Sequence, residues 1–150
     1  VSAFIDTGVF YAHHDEDHDQ HAVARATFDE LLTGDAGQLY TSEYVYDEAV
    51  TATNEQQSLD SARVLSRRIR GEGAYPAAIE LLEITPRLFE DAIRVFERPD
   101  DPELTFTDAT TIVLLEERGI DSVVSFDPVF DGLVDRIDPE EFAEPDELVE

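Results

Sequence analysis

The chain contains no cysteine, which excludes disulfides, zinc–thiolate centres and thiol nucleophiles. Lysine is absent too, and all ten basic residues are arginine. A phosphate-binding loop needs a lysine on the phosphates. Phosphoaspartate receivers and haloacid-dehalogenase-type phosphatases, which also line α/β sites with acids, use one as well, so all three classes are set aside. No Gly-x-Ser-x-Gly nucleophile elbow occurs. No segment approaches the roughly 18 consecutive apolar residues of a membrane span, so no membrane association is expected. No charged-then-apolar leader precedes the first strand-like stretch. These absences lead to the expectation of a cytoplasmic protein.

What the chain has in excess is acid: 36 Asp and Glu against 10 bases in 150 residues, a net charge of −26. A lysine-free acidic surface suggests adaptation to molar salt, where a Debye length of about 3 Å screens repulsion among surface carboxylates. Most acids are then a solvated face, and only position can single one out. The apolar content, 42%, is too high for an acidic disordered segment. The length suits one domain with a true core.

Short apolar strands alternate with helical patterns. "AFID" (3–6) reads as a buried strand. In "DQHAVARATFDELLTG" (19–34), Ala22, Ala26 and Leu31 lie near one face with Phe28 and Leu32, which predicts an amphipathic helix stopping near Gly34. "QLYTS" (38–42) predicts a second strand, with Thr41 or Ser42 as N-cap of a helix over 43–55 and another helix over 58–71. "AIELLEIT" (78–85) reads as a third strand, Pro86 opens a helix to Phe96, and 98–103 is a loop. A capped helix over 104–119 ends at glycine, and strands at 122–127 and 133–138 follow. The domain is expected to span 1–138, with an acidic, proline-punctuated tail at 139–150. This alternation argues for a three-layer α/β/α sandwich around a central, mostly parallel sheet. Right-handed crossovers put the strand-to-helix turns along one edge, where ligands sit in open α/β folds.

Three acids fall at that edge. Asp6 ends the first strand, Asp127 ends "SVVSFD", and Asp108 lies in the first turn of the 104–119 helix. A surface acid has no reason to follow a buried apolar strand directly, where desolvation and mutual repulsion both cost free energy. Gathered carboxylates call for a cation, and oxygen ligands select Mg²⁺ or Mn²⁺ over softer metals. Glu48 is a fourth candidate, because Tyr44, Glu48 and Ala52 share an i, i+4 stripe bordering an apolar one. Glu48 also reads as a boundary acid capping the core, and Asp108 as a helix N-terminal acid favoured by the dipole. Spacing alone does not decide.

"FIDTGVFYA", "YTSEYVYDEAVT" and "LTFTDATTIVLLEERGIDSVVSFDPVF" resemble, in order and spacing over residues 3–138, the successive signature blocks of PIN domains, particularly VapC-type toxins. The resemblance implies a small α/β/α endoribonuclease using one or two Mg²⁺ or Mn²⁺ ions. Carried over by position, the acidic quartet is Asp6, Glu48, Asp108 and Asp127, with Asp6 and Asp108 as principal ligands. Thr7 and Ser125 match the small hydroxyl residues beside such acids. Pro128 and Val129 stand where relatives carry polar or basic residues, and Asp131 could share the role of Asp127. Water is then the nucleophile, leaving a 5′-phosphate and a 3′-hydroxyl. An RNA substrate, a small antitoxin and a homodimer are the implied partners. A non-catalytic PIN-like RNA- or protein-binding module with a structural cation stays open beside the enzyme.

Two other features bear on this. Arg63, Arg67, Arg68 and Arg70 read as the only basic cluster, and Arg63, Arg67 and Arg70 share a helix face that could guide an RNA backbone, receive an acidic antitoxin segment, or pair with acids such as Asp60. "HHDEDHDQH" (13–21) holds all four histidines. In it "DQH" matches a VapC-like "D-x-H", with Asp19 as an N-cap and His21 in the first turn. His13, His14 and His18 are expected to be solvent-exposed on a mobile loop that suits fixed zinc geometry poorly.

Overall fold

The computed structural model describes residues 2–33, 37–72, 78–98 and 103–142. Among these residues one sheet forms from β1 (Ala3–Ile5), β2 (Leu39–Ser42), β3 (Ile79–Leu82), β4 (Ser122–Val124) and β5 (Arg136–Ile137). The strands run in the order β3-β2-β1-β4-β5, and every pairing is parallel. β1 is central, and its Ala3, Phe4 and Ile5 are buried, as a parallel strand covered on both faces requires. Strand order reverses between β1 and β4, the place where an open sheet leaves a crevice beyond its carboxyl ends.

The helices are α1 (Thr7–His14), α2 (His21–Thr33), α3 (Glu43–Gln56), α4 (Leu59–Ile69), α5 (Pro86–Phe96), α6 (Phe106–Arg118) and α7 (Pro139–Phe142). Right-handed crossovers assign α1–α4 to one face and α5–α6 to the other. The packing follows: α1 lies on α2 and α3, α3 on α4, and α5 on α6. Phe4, Ile5, Val9, Leu65, Leu114, Val123 and Phe130 belong to the single core between these layers. No helix among the described residues is long and apolar enough to cross a membrane.

Caps set the boundaries. Ser42, not Thr41, caps α3 by accepting a hydrogen bond from the Val45 amide; the Thr41 hydroxyl is buried and donates to the Ile5 carbonyl. Glu43, beside it, accepts from the Ile84 amide at 2.7 Å and so ties α3 to the segment leaving β3. Thr105 and Asp108 cap α6 reciprocally, and Gly119 ends that helix in the left-handed conformation at φ 63°.

Several expectations change. The stretch 7–14, to which no element was assigned, is a helix, and it carries His13 and His14, which were expected on a mobile loop. "TGVFYAHH" is nearly uniformly apolar before its two histidines, so no polar face reveals a helical period, yet Val9, Phe10 and Ala12 are buried. α2 begins at His21 with the Ala24 amide bonded to the Gln20 carbonyl, so Gln20 holds the cap position and Asp19 lies one residue outside it. β4 ends at Val124 and β5 holds only Arg136 and Ile137, because the chain leaves the sheet early to present polar residues at its edge. Residues 139–142 form α7, with Pro139 buried and Phe142 packed on the core. Gly34, Gly73, most of the 98–103 loop and the tail from 143 lie outside the described residues.

Gly119→Ala tests the cap of α6. Its φ is costly for any residue with a Cβ, so stability should fall by about 1–2 kcal/mol in urea titration.

Candidate functional site

The site grows from the adjacency of β1 and β4. The Asp6 amide donates to the Val124 carbonyl at 3.1 Å, continuing the ladder by one rung and bringing the two chain exits together. There the Ser125 hydroxyl donates to Asp6 Oδ2 at 2.7 Å and accepts from the Asp127 amide at 3.0 Å. Asp127 Oδ1 in turn accepts from the Val129 amide, capping the 3₁₀ turn Pro128–Phe130 that buried Phe130 anchors. The apolar Pro128 and Val129 thus build the turn that holds Asp127.

Asp108 arrives from the opposite layer. It is N3 of α6, its amide donates to the Thr105 hydroxyl, and its Oδ2 accepts from the Thr105 amide at 3.0 Å. The capping role and the site role therefore coexist in one carboxylate. Glu48 comes from α3 and is exposed. Asp6, Glu48, Asp108 and Asp127 line one cleft of about 200 Å³, with Thr7, Gly8, Thr105, Ser125 and Phe126 completing its wall. All four acids of the expected quartet, and both expected hydroxyl residues, meet there. Thr105 and Phe126 were not foreseen; the capping-box pattern "TFTD" was the available signal for Thr105.

The carboxylates strain against one another. Burial pushes the Asp6 carboxyl up to about 7, the Ser125 hydrogen bond opposes this, and repulsion from Asp108 and Glu48 adds to it. Asp108 is raised as well, chiefly by burial, with the Thr105 hydrogen bonds opposing and Asp127 and Glu48 reinforcing. As they stand, no three His, Asp or Glu side chains among the described residues are drawn closely enough to hold a cation. The donor set nevertheless fits a hard divalent ion, being all oxygen and mostly anionic. The Thr7 hydroxyl, buried in the same wall, has no hydrogen-bond partner, a polar atom left for a ligand or its water.

Other expected residues lie elsewhere. Asp131 is outside the cleft wall, and Arg136 binds both its oxygens and holds its carboxyl below the usual range. Arg63 and Arg67 on α4 and Arg70 at its end are exposed and do not line the cleft; Arg70 pairs with Glu72 at 2.8 Å. Nor is theirs the only basic group, since Arg87, Arg94 and Arg98 share a groove between α5 and α6 with Asp91, Glu116 and Glu117. Sequence distance hid that second group, whose members recur at helical spacing.

The histidines are structural rather than free. His13 packs 4.3 Å from the Phe28 ring, and burial, then the nearby Arg68, pushes its pKa down to about 3. His14 Nε2 donates to the Ser61 carbonyl, joining α1 to α4, and burial lowers its pKa. His18 Nδ1 accepts from the Gln20 amide, and His21 Nδ1 donates to the Ala12 carbonyl. The expected exposure of His13, His14 and His18 is corrected: each is partly buried, His13 and His14 because α1 places them against α2 and α4, and His18 because its ring packs edge-on against Tyr11.

The raised Asp6 has a sign that can be measured. A carboxyl that binds its proton more tightly folded than unfolded loses stability as pH rises from about 4 through about 7. Without divalent ions the melting temperature should therefore fall over that interval, and Asp6→Asn should flatten the profile and melt higher at neutral pH. An unchanged profile in the variant would show that Asp6 ionises freely.

Comparison with known proteins agrees with this architecture. The structure is similar to VapC20, a sarcin–ricin loop cleaving toxin of Mycobacterium tuberculosis, with a TM-score of 0.72 and 24% identity over 84% of this chain and 90% of that one. It is also similar to FitAcB from Neisseria gonorrhoeae, with a TM-score of 0.65 and 16% identity over 92% and 98% of the two chains. A toxin–antitoxin complex from Klebsiella pneumoniae gives a TM-score of 0.61 and 12% identity over 91% and 97%. No curated protein sequence matches significantly. The PIN domain profile matches residues 3–134, spanning every element that supplies the cleft, and the chain belongs to the PIN domain family.

Proposed function

We propose that this protein is a metal-dependent endoribonuclease and the toxin of a type II toxin–antitoxin pair. The observation that carries the reading is the convergence of Asp6, Glu48, Asp108 and Asp127 in one cleft at the carboxyl edge of the sheet. Mg²⁺ or Mn²⁺, one ion or two, supplies positive charge to a phosphate and acidifies the attacking water. Asp6 and Asp108 are its principal holders, and Asp127 and Glu48 complete the set or orient water. Ser125 keeps Asp6 turned toward the cleft, and Thr105 does the same for Asp108. Hydrolysis in this arrangement leaves a 5′-phosphate and a 3′-hydroxyl.

A chain of net charge −26 gains nothing from long-range attraction to RNA. Molar salt in a halophilic cytoplasm removes most of that repulsion, and the cation restores positive charge where the phosphate enters. Arg63, Arg67 and Arg70 offer phosphate contacts away from the cleft or a surface for an acidic antitoxin segment. An antitoxin partner is supported by the similarity to the toxin–antitoxin complex. A homodimer suits the exposed aromatic stripe of α5, where Phe89 and Phe96, 40% and 47% exposed, bracket Phe106.

In molar KCl with Mn²⁺, the parental protein should cut RNA and a chelator should stop it. Asp6→Asn should lower the rate by more than about two orders of magnitude while remaining folded. A folded Asp6→Asn protein cutting at the parental rate would refute the assignment, and a parental protein that binds RNA without cutting would mark a binding module. Phe89→Asp with Phe96→Asp should give a monomer by light scattering, and an unchanged dimer would move the interface elsewhere.

A further inference from the structure

The stretch carrying Asp127 begins where β4 stops, and the guanidinium of Arg136 fastens it on either side of that residue, at Ser125 and Asp131. Arg136 stands on β5 with its side chain 12% exposed. Its Nη1 donates to the Ser125 carbonyl at 2.9 Å. Its Nε and Nη2 donate to the two oxygens of Asp131 at 2.8 and 3.2 Å, and Asp138 lies 3.8 Å from Nη1. Ser125 and Asp131 are the two feet of the stretch 125–131, the first part of the connection from β4 to β5, and Asp127 lies between them. Ser125 is also the residue whose hydroxyl meets Asp6 and the Asp127 amide. A planar fork of donors can serve a carbonyl and a bidentate carboxylate at once, which an ammonium cannot.

We infer that Arg136 is a positioning residue for the cation site: by clamping Ser125 and Asp131 it fixes the Asp127 carboxylate and the Ser125 hydroxyl at the cleft, without itself reaching cation or RNA. This rests on the reading of the four acids as cation ligands. Most of the fork is shielded from water, unlike an exposed ion pair, whose removal changes little. Losing it frees both feet of the loop, and the site then meets the entropic cost of ordering Asp127 when a cation arrives.

The test is melting of the full chain in molar KCl over a Mn²⁺ titration, beside kinetics on RNA. Arg136→Met should raise the half-saturating Mn²⁺ concentration by about tenfold or more and lower kcat with little change in KM. Asp131→Asn, altering an exposed side chain, should move both in the same direction by less, and Arg136→Lys should fall between parent and Arg136→Met. Arg118→Met, which breaks the exposed Arg118–Glu80 pair, should leave the Mn²⁺ response as in the parent. A folded Arg136→Met protein with the parental Mn²⁺ response would overturn the inference. Should that variant fail to fold, parental responses in both Asp131→Asn and Arg136→Lys would overturn it equally. A parental chain that never responds to Mn²⁺ would overturn the cation reading itself, and this inference with it.

Discussion

The short hydrogen bond from Ser125 to Asp6 joins the ends of two neighbouring parallel strands, and the site depends on it. It exists because β4 lies beside β1 although most of the chain separates them. That adjacency follows from a crossover that passes behind β2 and β1 and reverses the strand order. One consequence is a crevice with no helix across it; another is that residues leaving the two strands face each other. Asp6 is there by virtue of β1, and Ser125 and Asp127 by virtue of β4. Asp108 and Glu48 enter as helix residues reaching toward the same crevice from opposite faces of the sheet.

Much of this could be read from residue order. Apolar triplets ended by polar residues located β1 and β4, and an acid directly after a buried strand marked Asp6 on desolvation grounds alone. Several helix boundaries were legible from their end residues, as at Ser42, Pro86 and Gly119. α1 was not, because a segment apolar on every side has no period to detect. The histidines misled for a related reason: a polar residue beside acids looks solvated until a helix turns it inward against Phe28 and Ser61. Arg136 was invisible for a third reason, since its partners Ser125 and Asp131 lie on an irregular loop whose course no periodicity marks.

The acidic surface and the acidic cleft obey different physics. On the surface, acids are hydrated and screened, and their number says more about solvent than about chemistry. In the cleft, Asp6 and Asp108 are each 7% exposed, so the same residue type meets a low dielectric and close neighbours of like sign. There the Ser125 hydroxyl and the Thr105 amide each donate to one carboxylate oxygen, which offsets part of the cost of burying it. Burial separates the two populations more sharply than any count.

The proton that Asp6 retains near neutrality gives the cleft a second occupant. On the proposed reading a cation entering the cleft would displace that proton, and ion uptake and proton release would become one exchange. The carboxyl that would make this exchange lies at the end of the central strand, where the Ser125 hydroxyl holds one of its oxygens.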